Sequence, residues 1–137
     1  MKYIYLPISA MILAFTACKE NQDVVHEHPE VHAETGQLEI PLNDGQKWKM
    51  DDHTRSMFVA MTERVEAGGD AAVVGKGLKS DLDQLIQGCT MEGAAHDQLH
   101  VYLVSFIPAV EKAASTGSPE SLKKAEDLLS KYPQYFE

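Results

Sequence analysis

Three short interruptions, "GGD" at 68–70, "CTMEG" at 89–93 and "SPES" at 118–121, divide the chain after residue 47 into four stretches, each with an apolar stripe of helical period. Turns this short leave a chain little choice. Consecutive helices must lie side by side and run in opposite directions, each burying its stripe against its neighbours. The first stretch runs from about Asp51 to Ala67, with Asp51 or Asp52 as cap, Phe58, Met61 and Val65 inward, and Gly68 as a left-handed stop. The second follows Asp70 and turns Val74, Leu78, Leu82, Leu85 and Cys89 inward, while Gly75 and Gly77 weaken it and allow a neighbour to come close. The third spans about Gly93 to Ala114 with Leu99, Leu103, Phe106, Ile107 and Val110 inward, and Pro108 is expected to kink or break it. In the fourth, Ser118 caps, Pro119 takes the first helical position, Leu122, Ala125, Leu129 and Tyr132 form the stripe, and Pro133 ends the helix. The expected fold is all-α, an antiparallel up-down-up-down four-helix bundle over 47–137.

The 137-residue chain has length for one such domain and a targeting segment. Residues 1–17, "MKYIYLPISAMILAFTA", place a lysine before an apolar run and then small residues, which is the layout of a signal peptide. Residues 18–46 are rich in acids and turn formers and read as a flexible tether. Within it, "HEHPEVH" carries His26, His28 and His32, a short tract suited to loose metal contacts without fixed geometry. The formal charge of the whole chain is −9 at pH 7. A balance this acidic is repelled by phosphate backbones and argues against nucleic acid as a partner.

"FTAC", closing with Cys18, resembles the lipobox of bacterial lipoproteins, with Phe15 standing where leucine is commonest. The resemblance implies cleavage before Cys18, diacylation of its thiol and, in many bacteria, a further acyl group on its amine. Several chains give stable anchoring where one is marginal. Lys19 and Glu20 are similar to a signal that sends some lipoproteins to the outer surface of the outer membrane in Bacteroidetes-type bacteria, although Asn21 interrupts the acidic pattern. The implied location is the cell envelope, on the periplasmic side or at that surface. The stretch "CTMEGAAHDQLHVYL" resembles a segment of small helical lipoproteins of Bacteroidetes-type bacteria, on Cys89, Met91, Gly93, His96, Asp97, Leu99 and His100. It implies a helical domain on a lipid anchor and brings no activity with it.

With Cys18 lipidated, Cys89 is the one remaining thiol and has no internal partner. An up-down bundle would bring the start of the first helix, the end of the second and the start of the third to one end. His53, Met57, Cys89, Met91, His96 and His100 would then share that end. His96 and His100 are four residues apart and lie on one helix face. Thiolate, thioether and imidazole together suit Cu(I), and thiolate with imidazole also suits zinc. Asp97 and Glu92 are available as outer partners that orient an imidazole. No H-E-x-x-H or C-x-x-C-H pattern is present, so covalent haem is excluded, and haem b between a histidine and a first-helix methionine is a lesser alternative.

The competing reading gives these residues ordinary work: methionines as core filler, Cys89 as a small buried hydrophobe, and histidines held by hydrogen bonds. The domain would then be a structural or interaction module docking an envelope protein. No catalytic residues are expected, because no oxyanion-hole motif, phosphate-binding loop or large substrate domain accompanies Cys89 and His96.

Overall fold

The computed structural model describes residues 38–137. The expectations for Cys18, for the segment 1–17 and for His26, His28 and His32 fall outside this range. The described chain is an all-α helical bundle. Its helices are α1 (Asp52–Ala67), α2 (Ala71–Gly88), α3 (Ala94–Thr116), α4 (Pro119–Leu129) and the one-turn α5 (Tyr132–Tyr135). Two isolated bridges occur among the described residues, and no strand.

Capping chemistry sets the boundaries. Asp51 caps α1 by accepting the Thr54 amide at 2.7 Å, and Asp70 caps α2 by accepting from Ala72 and Val73. Ser118 accepts the Ser121 amide at the start of α4, with Pro119 where its missing N–H costs nothing. Gly117 ends α3 in the left-handed region, its amide returning to the Ala113 carbonyl. Gly68 ends α1 at φ 66° but ψ −166°, so its φ is positive while the residue lies outside the left-handed helical region expected of it.

Pro108 does not break α3, which is continuous around it. The carbonyl left without a helical partner is that of Val104, an exposed residue where water can supply the bond. Pro133 also behaves differently from expectation. The fourth helix stops at Leu129, and Pro133 lies in the first turn of α5.

Contacts join opposite ends of successive helices. His53 in α1 reaches the Gln84 carbonyl in α2, and the Tyr102 hydroxyl of α3 donates to the Leu128 carbonyl of α4 at 3.0 Å. At Gly75 a Cβ would lie 2.7 Å from the Ala113 carbonyl oxygen, so the missing side chain is what lets α2 lie against the end of α3. Arg64 crosses Gly77 to form a paired contact with the buried Asp81, Nε to Oδ2 at 2.7 Å and Nη2 to Oδ1 at 3.0 Å.

The core is continuous through the bundle and contains an aromatic group in which Phe58, Tyr102, Phe106, Tyr132 and Phe136 meet ring against ring. Burial pushes the Tyr102 and Tyr132 hydroxyls well above the usual phenol range.

The packed domain begins before residue 47. Leu38, Ile40 and Met50 are buried in the core, so 38–46 is not free tether. Asp44 and Gly45, at φ 50° and 82°, make the turn between Asn43 and Gln46, two positive φ values of the kind that tight hairpin turns use. The strap is then clasped by the last residue of α5 and the chain that follows it. The Trp48 amide donates to Tyr135, Met50 donates to Glu137, and Glu137 donates back to Trp48, at 2.8–3.0 Å.

Candidate functional site

A cleft of about 190 Å³ opens between the end of α2 and the start of α3, lined by Leu85, Ile86, Cys89, His96, Leu99, His100 and Leu103. Its position follows from the local sequence. α2 ends at Gly88, which leaves Cys89 in extended backbone as its C-cap, and α3 begins only after Gly93 turns the chain at φ 78°. Leu85 on one side and Leu99 and Leu103 on the other are buried stripe residues that hold the two helices together beneath the cleft. The polar side chains therefore stand above an apolar floor.

Cys89 is a half-buried free thiol. His96 is half-buried and His100 is exposed. Their helical spacing sets the two imidazoles beside each other, ring centres 4.3 Å apart and planes inclined by 69°. Three of the six residues expected in the domain's donor cluster thus line one cleft.

The other three are held elsewhere. Met91 lies in the same turn, but its Sδ accepts a hydrogen bond at 3.4 Å from the Oγ1 of Thr54, a residue with no exposed surface. The thioether is thereby directed towards α1. Met57 is half-buried and packs against the core. The His53 ring lies over Gly88, where a Cβ would come within 2.3 Å of its Nε2, and that nitrogen is 3.2 Å from the Gln84 carbonyl oxygen. The cleft therefore holds Cys89, His96 and His100, while Met91 turns to Thr54 of α1, Met57 packs against the core, and the His53 ring crosses to the end of α2 beside Gly88, the residue before Cys89. Thr54 was not anticipated as a partner for Met91. Sequence spacing offers no signal for a contact between residues 37 positions apart.

Among the described residues, no three His, Cys, Asp or Glu side chains already stand as a set able to hold an ion. Thiolate and imidazole are nevertheless the donor types that soft metal ions take. The cleft is smaller than the roughly 300 Å³ at which small-molecule pockets begin, so it suits an ion and its ligands better than a porphyrin. Among the described residues, no helix is long and apolar enough to cross a membrane. Comparison of the chain with protein families, with curated proteins and with solved structures gives no match.

Proposed function

We propose that the chain is a non-enzymatic, lipid-anchored protein of the bacterial cell envelope whose α2/α3 cleft binds a soft transition-metal ion, Cu(I) foremost. The observation that carries this reading is the sharing of one small cleft by Cys89, His96 and His100. A thiolate with two imidazoles is a donor set in which the sulfur favours Cu(I), while zinc is the nearest competitor. Cu(I) accepts two or three ligands in a nearly planar arrangement, and so asks less rearrangement of this cleft than tetrahedral zinc. Binding displaces the Cys89 thiol proton to solvent. The acyl chains on Cys18 would keep the domain at the membrane, where the protein would buffer copper.

The test uses the full chain in detergent with Cys18→Ser, so that Cys89 is its only thiol. It should retain about one equivalent of Cu(I) under anaerobic conditions against a competing chelator, and tighter than micromolar affinity corresponds to more than about 8 kcal/mol. Cys89→Ser and His96→Ala should each abolish retention. A chain that retains neither Cu(I) nor zinc overturns the metal assignment. The anchor is tested separately, since labelled palmitate should enter the natural chain and not Cys18→Ser.

A second reading has its own observation. Ile86, 49% exposed, lines the cleft, and Val104, 60% exposed, follows one turn after His100. Apolar residues beside a cleft suit a protein partner. Retention of metal by the natural sequence, lost in Cys89→Ser, separates the first reading from this one.

A further inference from the structure

We infer that the outward face of α3 pairs with the same face of a second copy of this chain, antiparallel, about a twofold axis between Val104 and Ser105. From Gln98 to Val110, "QLHVYLVSFIPAV", α3 carries no Asp, Glu, Lys or Arg, in a chain of which 24% is charged. A helix on the surface of a bundle ordinarily turns charged residues outward over such a length. The inward side of the stretch is accounted for, since Leu99, Tyr102, Leu103, Phe106, Ala109 and Val110 are buried in the core. The outward side is not. Val104 is 60% exposed, Ser105 and Pro108 are exposed, and Val101 is half-buried. Val101, Val104 and Pro108 follow one another at three and four residues, so they form one stripe along the helix.

Charge at the two ends of the stripe points to the occupant. Asp97 lies one turn before Val101 and Lys112 one turn after Pro108, on the same face by the helical period, and both are exposed. Neither forms an ion pair among the described residues. The two stand equally far from the midpoint between Val104 and Ser105. A twofold axis there sets Asp97 of each copy against Lys112 of the other, Val101 against Pro108, and Val104 against Ser105. Glu111 falls opposite the uncharged Gln98, so no like charges meet. One acid and one base at matched distances make the face complementary to itself. A bilayer is a poorer match, because helices that lie on membranes flank their apolar face with Lys and Arg and set Trp or Phe into it. A contact made by one helix from each copy falls below about 1,200 Å², the range of weak and transient association. The pairing uses neither Cys89 nor His96, so it stands apart from the metal reading.

Carbodiimide, which joins a carboxylate directly to an amine, tests the pairing on the full-length chain in nonionic detergent. Reductant and EDTA are present, so that neither Cys89 disulfides nor metal ions link copies. Within one α3, Asp97 and Lys112 stand about 22 Å apart along the axis, beyond the reach of a zero-length link. An Asp97–Lys112 amide, read by peptide mass spectrometry of the covalent dimer, is therefore a bond between copies and is the expected product. By density-matched sedimentation equilibrium, Asp97→Lys and Lys112→Glu should each weaken the dimer about tenfold, since each sets like charges together at two places. The double variant should return to within about twofold of the natural chain. A substitution that merely loosened α3 would not be rescued by a second one at its other end. Val104→Lys, on exposed surface, should abolish the dimer while leaving helical circular dichroism unchanged. A natural chain that stays monomeric up to high micromolar concentration overturns the inference, and so does a dimer that Val104→Lys leaves intact. Single-variant losses that the double variant fails to recover overturn the antiparallel register and the inference with it.

Discussion

Thr54 uses its two polar groups in opposite directions from a wholly buried position. Its amide donates to Asp51 and closes the first turn of α1, while its hydroxyl donates to Met91 and secures the α2–α3 turn. One residue thus ties the start of the first helix to the loop beside the candidate site. Hydrogen bonding from Thr54 holds the Asp51 carboxyl below its ordinary range, with the nearby charge of His53 and Arg55 acting the same way. A carboxyl with a lowered folded-state pKa contributes its full stabilisation above its unfolded pKa of about 4, and loses it as pH falls from there through the lower folded-state value. Asp51→Ala should therefore cost about 1 kcal/mol at neutral pH, the usual worth of such a cap. The difference from wild type should shrink near pH 3, as measured by urea unfolding at both values. Met91 illustrates what the sequence hides at this scale. Its position in the turn was legible, but its sulfur's partner depends on how α1 packs, which no local pattern encodes.

The helices themselves were largely legible, because α1, α2 and α4 each carry both a stripe and a capping side chain, and α3 a stripe long enough to read without one. Ser118 and Pro119 mark the start of α4 without reference to anything distant. Tyr102 was missed as a core residue because its hydroxyl counts as polar until the Leu128 carbonyl is found opposite it. The strap over 38–50 was missed because its acids and turn formers resemble linker. The Asp-Gly pair and the short apolar run around Leu38 and Ile40 were the available clues. The closest helix contact gives a sharp prediction. Gly75→Ala would gain about 1 kcal/mol of helix propensity on α2. It would also drive a methyl group into the Ala113 backbone, which cannot rotate away as a flexible side chain can. Overpacking of this kind costs about 1–3 kcal/mol, so the net effect should be a lower melting temperature by circular dichroism.

At the scale of the whole molecule, the proposed ion would join α2 to α3 across the turn at 89–93. A ligand that binds only the folded chain stabilises it, by about 2.7 kcal/mol at a hundredfold excess over its Kd. For a domain of this size the melting temperature should rise by roughly 10 °C or more. Calorimetry under anaerobic conditions should show that rise with Cu(I) in the natural sequence and none in Cys89→Ser. The candidate site was legible as a set of residue types gathered at one end, but its division was not. His96 and His100 were readable as a pair from their spacing, whereas the turn of the Met91 sulfur towards Thr54 follows from side-chain directions set by tertiary packing. The backbone clasp between Trp48–Met50 and Tyr135–Glu137 has a mechanical consequence. A pull on the chain ahead of Leu38 does not load α1 directly. It is first borne by the buried Leu38 and Ile40 and by the strap's bonds to the segment after α4, so this junction acts as a strain relief that keeps tension away from the α2/α3 cleft.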